Sequence, residues 1–171
     1  WIEKHRGVPL LWKTGHSFIK AKLKETGALL AGEMSGHLFF KERWYGFDDG
    51  LYAGARLLEI VSRAANPSAI LEALPDAVST PELQIKLKEG ENYALIDKLH
   101  KTARFEGARD VITIDGLRVE YPDGFGLARS SNTTPVIVLR FEADNESALK
   151  RIQEDFRRVL LAARPDVNIP Y

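Results

Sequence analysis

The chain has no cysteine, and only one methionine, in 171 residues. Without cysteine there is no disulfide framework and no thiolate zinc site. That usage fits a reducing cytoplasm. There is also no charge excess: 24 Lys and Arg face 24 Asp and Glu, and the sequence pI is about 7.1. Nucleic-acid binders usually carry a basic surplus, so no nucleic-acid partner is expected. No apolar run approaches the roughly 20 residues of a membrane span, and no secretory leader opens the chain. No membrane partner is expected either. The histidines at 5, 16, 37 and 100 lack ligand spacing, so no metal site is assigned.

An apolar share of 44% over this length is enough to bury a core, as one domain or two small ones. Trp1–His5 reads as the end of an amphipathic helix, with no initiator Met before it, which predicts a fragment of a longer chain. Val8–Trp12 is an apolar run that predicts a strand. Phe18, Ile19 and Leu23 have helical spacing up to Gly27, a C-terminal stop. Ala28–Ala31 predicts a buried strand, Met34–Gly36 a turn, and His37–Phe40 a second strand. Asp48 or Asp49 can cap a long helix whose Leu51, Ala55, Leu58 and Val61 share one face for burial. A shorter helix follows from Pro67.

Leu74–Pro81 is the linker candidate, with two prolines bracketing a polar stretch. Beyond it, Leu83–Lys88 alternates as a half-exposed strand. Glu91–Ala103 is helical, with Ala94, Leu95, Leu99 and Ala103 on one face. Val111–Ile114, Asp115-Gly116 and Leu117–Tyr121 signal a hairpin. Phe125–Ala128 and Val136–Phe141 extend the sheet, and Asn145 caps a final helix. Pro165 stops that helix, and Val167–Tyr171 predicts a last short strand. The order β-α-β-β-β-β-α describes an antiparallel sheet with helices on one face.

Three polar stretches could carry chemistry. Arg129-Ser130-Ser131-Asn132-Thr133-Thr134-Pro135, between strands, concentrates a cation, hydroxyls and an amide. It suits a phosphate, with Arg129 as a planar fork and Ser131, Asn132 and Thr133 as added donors. The same composition also describes a polar turn that bonds its own backbone. Gly32-Glu33-Met34-Ser35-Gly36-His37 lies where a strand enters a turn. Glu33 could accept from a sugar diol, or be an exposed acid in a turn. The nucleophile-elbow pattern needs Gly where Glu33 stands, so a hydrolase is rejected. His16, in Lys13-Thr14-Gly15-His16-Ser17, could contact phosphate, move a proton or simply start a helix. Trp44, Tyr45 and Phe47 read as packing residues, with an aromatic face near a sugar site as the alternative.

Taken together, and with Glu42–Gly50 and Thr113–Gly116, these stretches resemble the α-D-phosphohexomutases, specifically the bacterial phosphomannomutase/phosphoglucomutase type. The resemblance implies the C-terminal part of domain 3 over residues 1–74, an α/β partial domain with a mixed sheet and flanking helices. It implies a hinge over 75–81. Domain 4 then covers 82–171, an α+β domain with an antiparallel sheet of the TATA-box-binding-protein type. The family shifts phosphate between C1 and C6 of a hexose through an enzyme phosphoserine and a bisphosphorylated sugar. Neither the phosphoserine loop nor the Asp-rich metal loop has a counterpart here. The resemblance therefore implies Mg²⁺ and the missing N-terminal domains in the parent enzyme, glucose 1,6-bisphosphate as intermediate, and no turnover by this piece alone. It assigns Glu33, Ser35 and His37 to the sugar, and Arg129, Ser131, Asn132, Thr133 and Lys13 to phosphate. His16 falls near the transferring phosphoryl group, in a catalytic position. A stand-alone sugar-phosphate-binding module is the competing reading.

Overall fold

Alternation along Leu117–Tyr121 puts Leu117, Val119 and Tyr121 on one side of a sheet, and all three are buried. They belong to the second of two units in a computed structural model that describes residues 1–171: Trp1–Pro75 and Asp76–Tyr171. In that second unit the strands are β3 (Val78–Ser79), β4 (Leu83–Lys86), β5 (Asp110–Ile112), β6 (Leu117–Tyr121), β7 (Gly124–Ser130) and β8 (Val136–Ala143). All pairings are antiparallel, in the order β3-β8-β7-β6-β5, and β4 pairs with β8 beside β3. The helices are α4 (Glu91–Thr102) and α5 (Glu146–Ala163).

Register explains where the core sits. Val119 faces Gly126 across β6 and β7, and Gly126 faces Phe141 across β7 and β8. The missing side chain at Gly126 makes room for Phe156 of α5: a Cβ there would collide with the ring. Along α5, Leu149, Ile152, Phe156, Val159, Leu160 and Ala163 repeat at helical spacing and are buried. Asn145 caps the helix, its side chain accepting from the Ala148 N–H at 3.0 Å. Lys98 Nζ ties α4 to the end of α5 by donating to the Ala163 carbonyl at 2.6 Å.

Some expectations for this unit need correction. The strand leading to the polar loop is longer than predicted, because β7 pairs with β8 as far as Ser130 opposite Ile137. Arg129 and Ser130 are thus strand residues, and the loop proper is 131–135. Val167–Tyr171 forms no strand. Pro170 lacks an N–H for a ladder, and the segment packs by side chains instead. Tyr171 sits edge-on to Phe141 at 5.0 Å and donates its hydroxyl to the Gln153 carbonyl. Ala94 is exposed, and Asn92 takes a place on the buried stripe of α4. Part of the 75–81 stretch is strand: β3 lies inside it, and the Thr80 N–H donates to the Phe141 carbonyl.

The first unit contains α1 (His16–Thr26), β1 (Leu30–Gly32), β2 (Leu38–Phe40), α2 (Gly50–Val61) and α3 (Pro67–Glu72), after a 3-10 turn at Glu3–His5. Its sheet is a two-stranded antiparallel pair, not a mixed sheet, with Leu30 opposite Phe40 and Gly32 opposite Leu38. Ile19, Leu23 and Phe39 are its buried centre. Val8–Trp12 is not a strand, since no other strand pairs with it and Pro9 removes a donor. The β1 region is not buried, with Leu29 and Leu30 exposed. Nor is the apolar face of α2, whose Leu51 is 91% exposed. Periodicity identifies a face that would gain from cover. It does not say that an element of this chain supplies the cover.

Candidate functional site

In the first unit, short range order builds a turn that brings separate polar groups together. The Gly36 N–H donates to the Glu33 carbonyl at 3.0 Å, and the Glu33 N–H to the His37 carbonyl at 2.9 Å. This closes the turn between β1 and β2, with Gly36 at φ 90°. The Glu33 carboxylate is then aimed at the start of α1, where it accepts from the Gly15 N–H at 3.3 Å. A carboxylate at a helix N-terminus complements the helix dipole and its unpaired N–H groups. The bond places Glu33 beside the turn holding His16, 17 residues away in sequence. His16 opens α1, and its Nδ1 lies 3.4 Å from Ser17 Oγ. Lys13 is exposed just before it, and Ser35 is exposed at the tip of the 33–36 turn.

His37 is also exposed, and its Nδ1 lies 2.8 Å from Asp48 Oδ2. The two adjacent aspartates divide the work that the sequence left open between them. Asp49 is the cap of α2, with Oδ1 accepting from the Tyr52 N–H at 2.9 Å and Oδ2 from Trp44 Nε1 at 3.1 Å. The Tyr52 N–H holds the Asp49 carboxyl below the usual aspartate range. Trp44 stacks on Tyr52 at 4.3 Å, and Tyr45 lies over Phe47 at 5.4 Å. These rings do pack on neighbours, yet Tyr45 and Phe47 stay largely exposed. Arg43 makes a two-pronged pair with Glu59, and its proximity pulls the Glu59 carboxyl down.

In the second unit, the 131–135 loop leaves β7 and returns into β8. Ser131 is its organiser. Its N–H donates to the Val136 carbonyl at 3.0 Å. Its Oγ accepts from the backbone N–H groups of Thr133 and Thr134, both at 3.3 Å, and from Thr134 Oγ1 at 3.1 Å. The self-bonded turn is therefore real for Ser131, as the bland alternative had it. Two backbone donors and two threonine hydroxyls converge on a single oxygen. An anion oxygen placed there could accept the same N–H groups. Asn132 and Thr133 are exposed, with Thr133 Oγ1 3.3 Å from Ser131 Oγ. Arg129 lies on the face of the sheet opposite Ser130, and its guanidinium makes no ion pair, only a long 3.4 Å bond to the Ser130 carbonyl.

Sequence reading missed two residues that set this loop. Asn92, at the start of α4 and 1% exposed, donates Nδ2 to the Ser131 carbonyl at 3.3 Å, and Tyr93 adds its hydroxyl at 3.3 Å. A signal was present: Asn92 shares the stripe of Leu95, Ile96 and Leu99, and an amide on an apolar stripe marks a buried hydrogen bond. No group of three or more His, Asp or Glu side chains is arranged to hold a metal ion. No helix is long and apolar enough to cross a membrane.

A helix–hairpin unit with a carboxylate and an imidazole at one turn, followed by an antiparallel sheet with a donor-rich loop, defines an α/β protein whose loops present hydrogen-bonding groups. Residues 1–78 match the family model described as phosphoglucomutase/phosphomannomutase, alpha/beta/alpha domain III. Residues 82–159 match that of the phosphoglucomutase/phosphomannomutase C-terminal domain. The chain belongs to the phosphoglucomutase/phosphomannomutase family. It is 65% identical over 161 residues to a phosphoglucomutase of Neisseria meningitidis, covering 94% of this chain and 35% of that protein. It is 54% identical over 171 residues to a phosphomannomutase/phosphoglucomutase of Pseudomonas aeruginosa, covering 99% and 37%. A crystal structure of a family protein from Burkholderia thailandensis superposes with a TM-score of 0.93 at 69% identity, over 100% of this chain and 36% of that one. The chain thus spans about a third of the length of the relatives it matches.

Proposed function

We propose that this chain supplies the sugar-recognition and phosphate-binding loops of a phosphohexomutase that interconverts hexose 1-phosphate and hexose 6-phosphate. The proposed division is residues 1–74 and 82–171, joined by 75–81, with the second domain of the TATA-box-binding-protein type. Glu33, Ser35 and His37 read the sugar ring through its hydroxyls. Arg129, Ser131, Asn132 and Thr133 grip the phosphate that is not reacting, and Lys13 adds positive charge. His16 stands near the transferring phosphoryl group. An enzyme phosphoserine in the remainder of the protein passes its phosphoryl group to the free sugar hydroxyl. The bisphosphorylated sugar turns end for end, and the serine takes back the other phosphate. A clamp that accepts either phosphate suits that reversal, because both orientations present one to it. No group of ligands for Mg²⁺ is arranged in this chain, so the remainder of the protein would hold the ion the family uses.

One observation carries the reading. Arg129 has no carboxylate partner, yet it leads into a turn whose N–H groups already converge on one oxygen. An uncommitted guanidinium two residues ahead of converging donors is an arrangement a phosphate could complete. The test is steady-state kinetics of Arg129→Ala in the full-length protein with glucose 1-phosphate and mannose 1-phosphate. Losing one charge-assisted, two-pronged contact is expected to cost about 2–4 kcal/mol in kcat/KM. Unchanged kinetics would remove the clamp. Binding of the sugar phosphate without any turnover by the full-length protein would instead favour the stand-alone module.

A further inference from the structure

We infer that Asp48 is a positioning residue that fixes the ring orientation and tautomer of His37. The inference rests on the proposed role of the 33–37 turn in sugar recognition and adds to it a residue outside that turn. His37 Nδ1 and Asp48 Oδ2 are 2.8 Å apart, a charge-assisted hydrogen-bond distance. A carboxylate accepts, so the shared proton sits on Nδ1 whether the ring is neutral or charged. Nε2 is then the ring's remaining polar atom, an acceptor when the ring is neutral and a donor when it is protonated.

The backbone around Asp48 shows why this carboxylate is in place beforehand. Asp48 forms an antiparallel bridge with Phe39 of β2, two residues after His37. Phe39 is fully buried in the first unit's small core. The next residue, Asp49, donates its N–H to the Leu38 carbonyl at 3.4 Å and caps α2 through Tyr52. Asp48 is therefore held between a buried strand residue and a helix cap, with its own side chain free of the capping duty. Both groups of the pair are partly open to solvent, His37 at 54% and Asp48 at 34%. A contact of this exposure contributes little to stability. Its worth lies in removing the rotamer and tautomer freedom of an imidazole that must meet a hydroxyl from a set direction.

The charged groups facing the pair are few. Glu33 lies in the same turn, joined to His37 by the Glu33 N–H to His37 carbonyl bond, and its carboxylate is turned to Gly15. Asp49 is committed to Tyr52 and Trp44. No arginine or lysine pairs with either member.

Two measurements test the inference separately from the function it serves. First, nitrogen-15 NMR of the His37 ring in alkaline buffer, in the 171-residue chain, is expected to show the Nδ1–H tautomer. In Asp48→Ala the population is expected to shift toward Nε2–H, and in Asp48→Asn to shift less, since the amide oxygen can still accept. A wild-type ring that is Nε2–H, or a tautomer unchanged in Asp48→Ala, overturns the positioning role whatever the protein's activity. Second, Asp48→Ala in the full-length enzyme is expected to lower kcat about tenfold to a hundredfold, the scale on which loss of an orienting partner is felt. Asp48→Asn should recover part of it. A normal tautomer shift with kcat and KM unmoved in both Asp48→Ala and His37→Gln would retain Asp48 as the orienting group and remove His37 from the site. The Asn variant keeps the side-chain volume, so a folding failure confined to Asp48→Ala does not leave the question open.

Discussion

The two units use similar sequence patterns and arrive at unlike interiors. In the second, the apolar stripe of α5 and the inward faces of β6, β7 and β8 meet one another, and Phe141, Phe156, Leu139 and Ile152 are fully buried. In the first, α2 carries an apolar face of the same quality, yet Leu51, Leu57, Leu58 and Ile60 remain exposed. Its buried centre is three residues. Amphipathic pattern is thus a statement of demand, and burial depends on whether a partner face exists in the chain. The polar turns follow a different rule. They close on local hydrogen bonds, and they are equally well formed in both units.

The sharpest way to break this contrast is to remove buried volume on one side and exposed volume on the other. Phe156→Ala is expected to cost about 3–5 kcal/mol, whereas Leu58→Ala should fall within about 0.5 kcal/mol. All three tryptophans, Trp1, Trp12 and Trp44, lie in the first unit. Denaturant melts followed by tryptophan emission therefore report that unit, and amide NMR reports the other. Phe156→Ala should shift only the second. Coincident shifts would mean that the units unfold together and that the contrast in burial has no thermodynamic counterpart.

Asn92→Ala tests whether the second unit's core reaches into its loop. Losing the amide that holds the Ser131 carbonyl is expected to cost about 1–2 kcal/mol of stability. It should also broaden the amide resonances of residues 131–135 and, in the full-length protein, raise the KM for the proposed sugar-phosphate substrate. A loop left unchanged would confine Asn92 to packing.

The smallest effects come from the helix caps, and they differ in their response to acid. Asn145→Ala should cost about 1 kcal/mol at any pH, because the capping amide does not titrate. Asp49 behaves otherwise. The Tyr52 N–H lowers its folded pKa below the unfolded value. Its contribution is therefore present above the unfolded pKa and fades as pH falls through the folded one. Acid titration of tryptophan emission is expected to show this loss in the wild type and not in Asp49→Asn. Identical acid profiles would remove the carboxylate from the cap.

Much of the fold was legible because it follows from local pattern. The 117–121 alternation, the Asn145 cap and the hairpin at Asp115-Gly116 each involve neighbours in sequence. The second unit was read nearly complete for this reason. What failed were segments whose state depends on a distant partner, such as Val8–Trp12 and Val167–Tyr171, both apolar and neither with a strand to pair. Of the candidate site, the polar stretches were legible and their internal wiring was not. Composition could not say that Ser131 Oγ would turn inward to accept from Thr133 and Thr134.

By itself the sequence determined the residue chemistry of this protein: an acid and an imidazole in one short stretch, a guanidinium followed by hydroxyls in another, and no cysteine anywhere. It also determined the elements that short-range hydrogen bonds and side-chain period can set. Tertiary structure decided the assignments between equals and the meetings at a distance. It chose Asp49 over Asp48 as the cap, brought Glu33 to Gly15 across 18 residues and Asn92 to Ser131 across 39. The physical reason is that such contacts form only after strand register and helix packing have fixed the backbone. Until then no local preference distinguishes one carboxylate or amide from its neighbour.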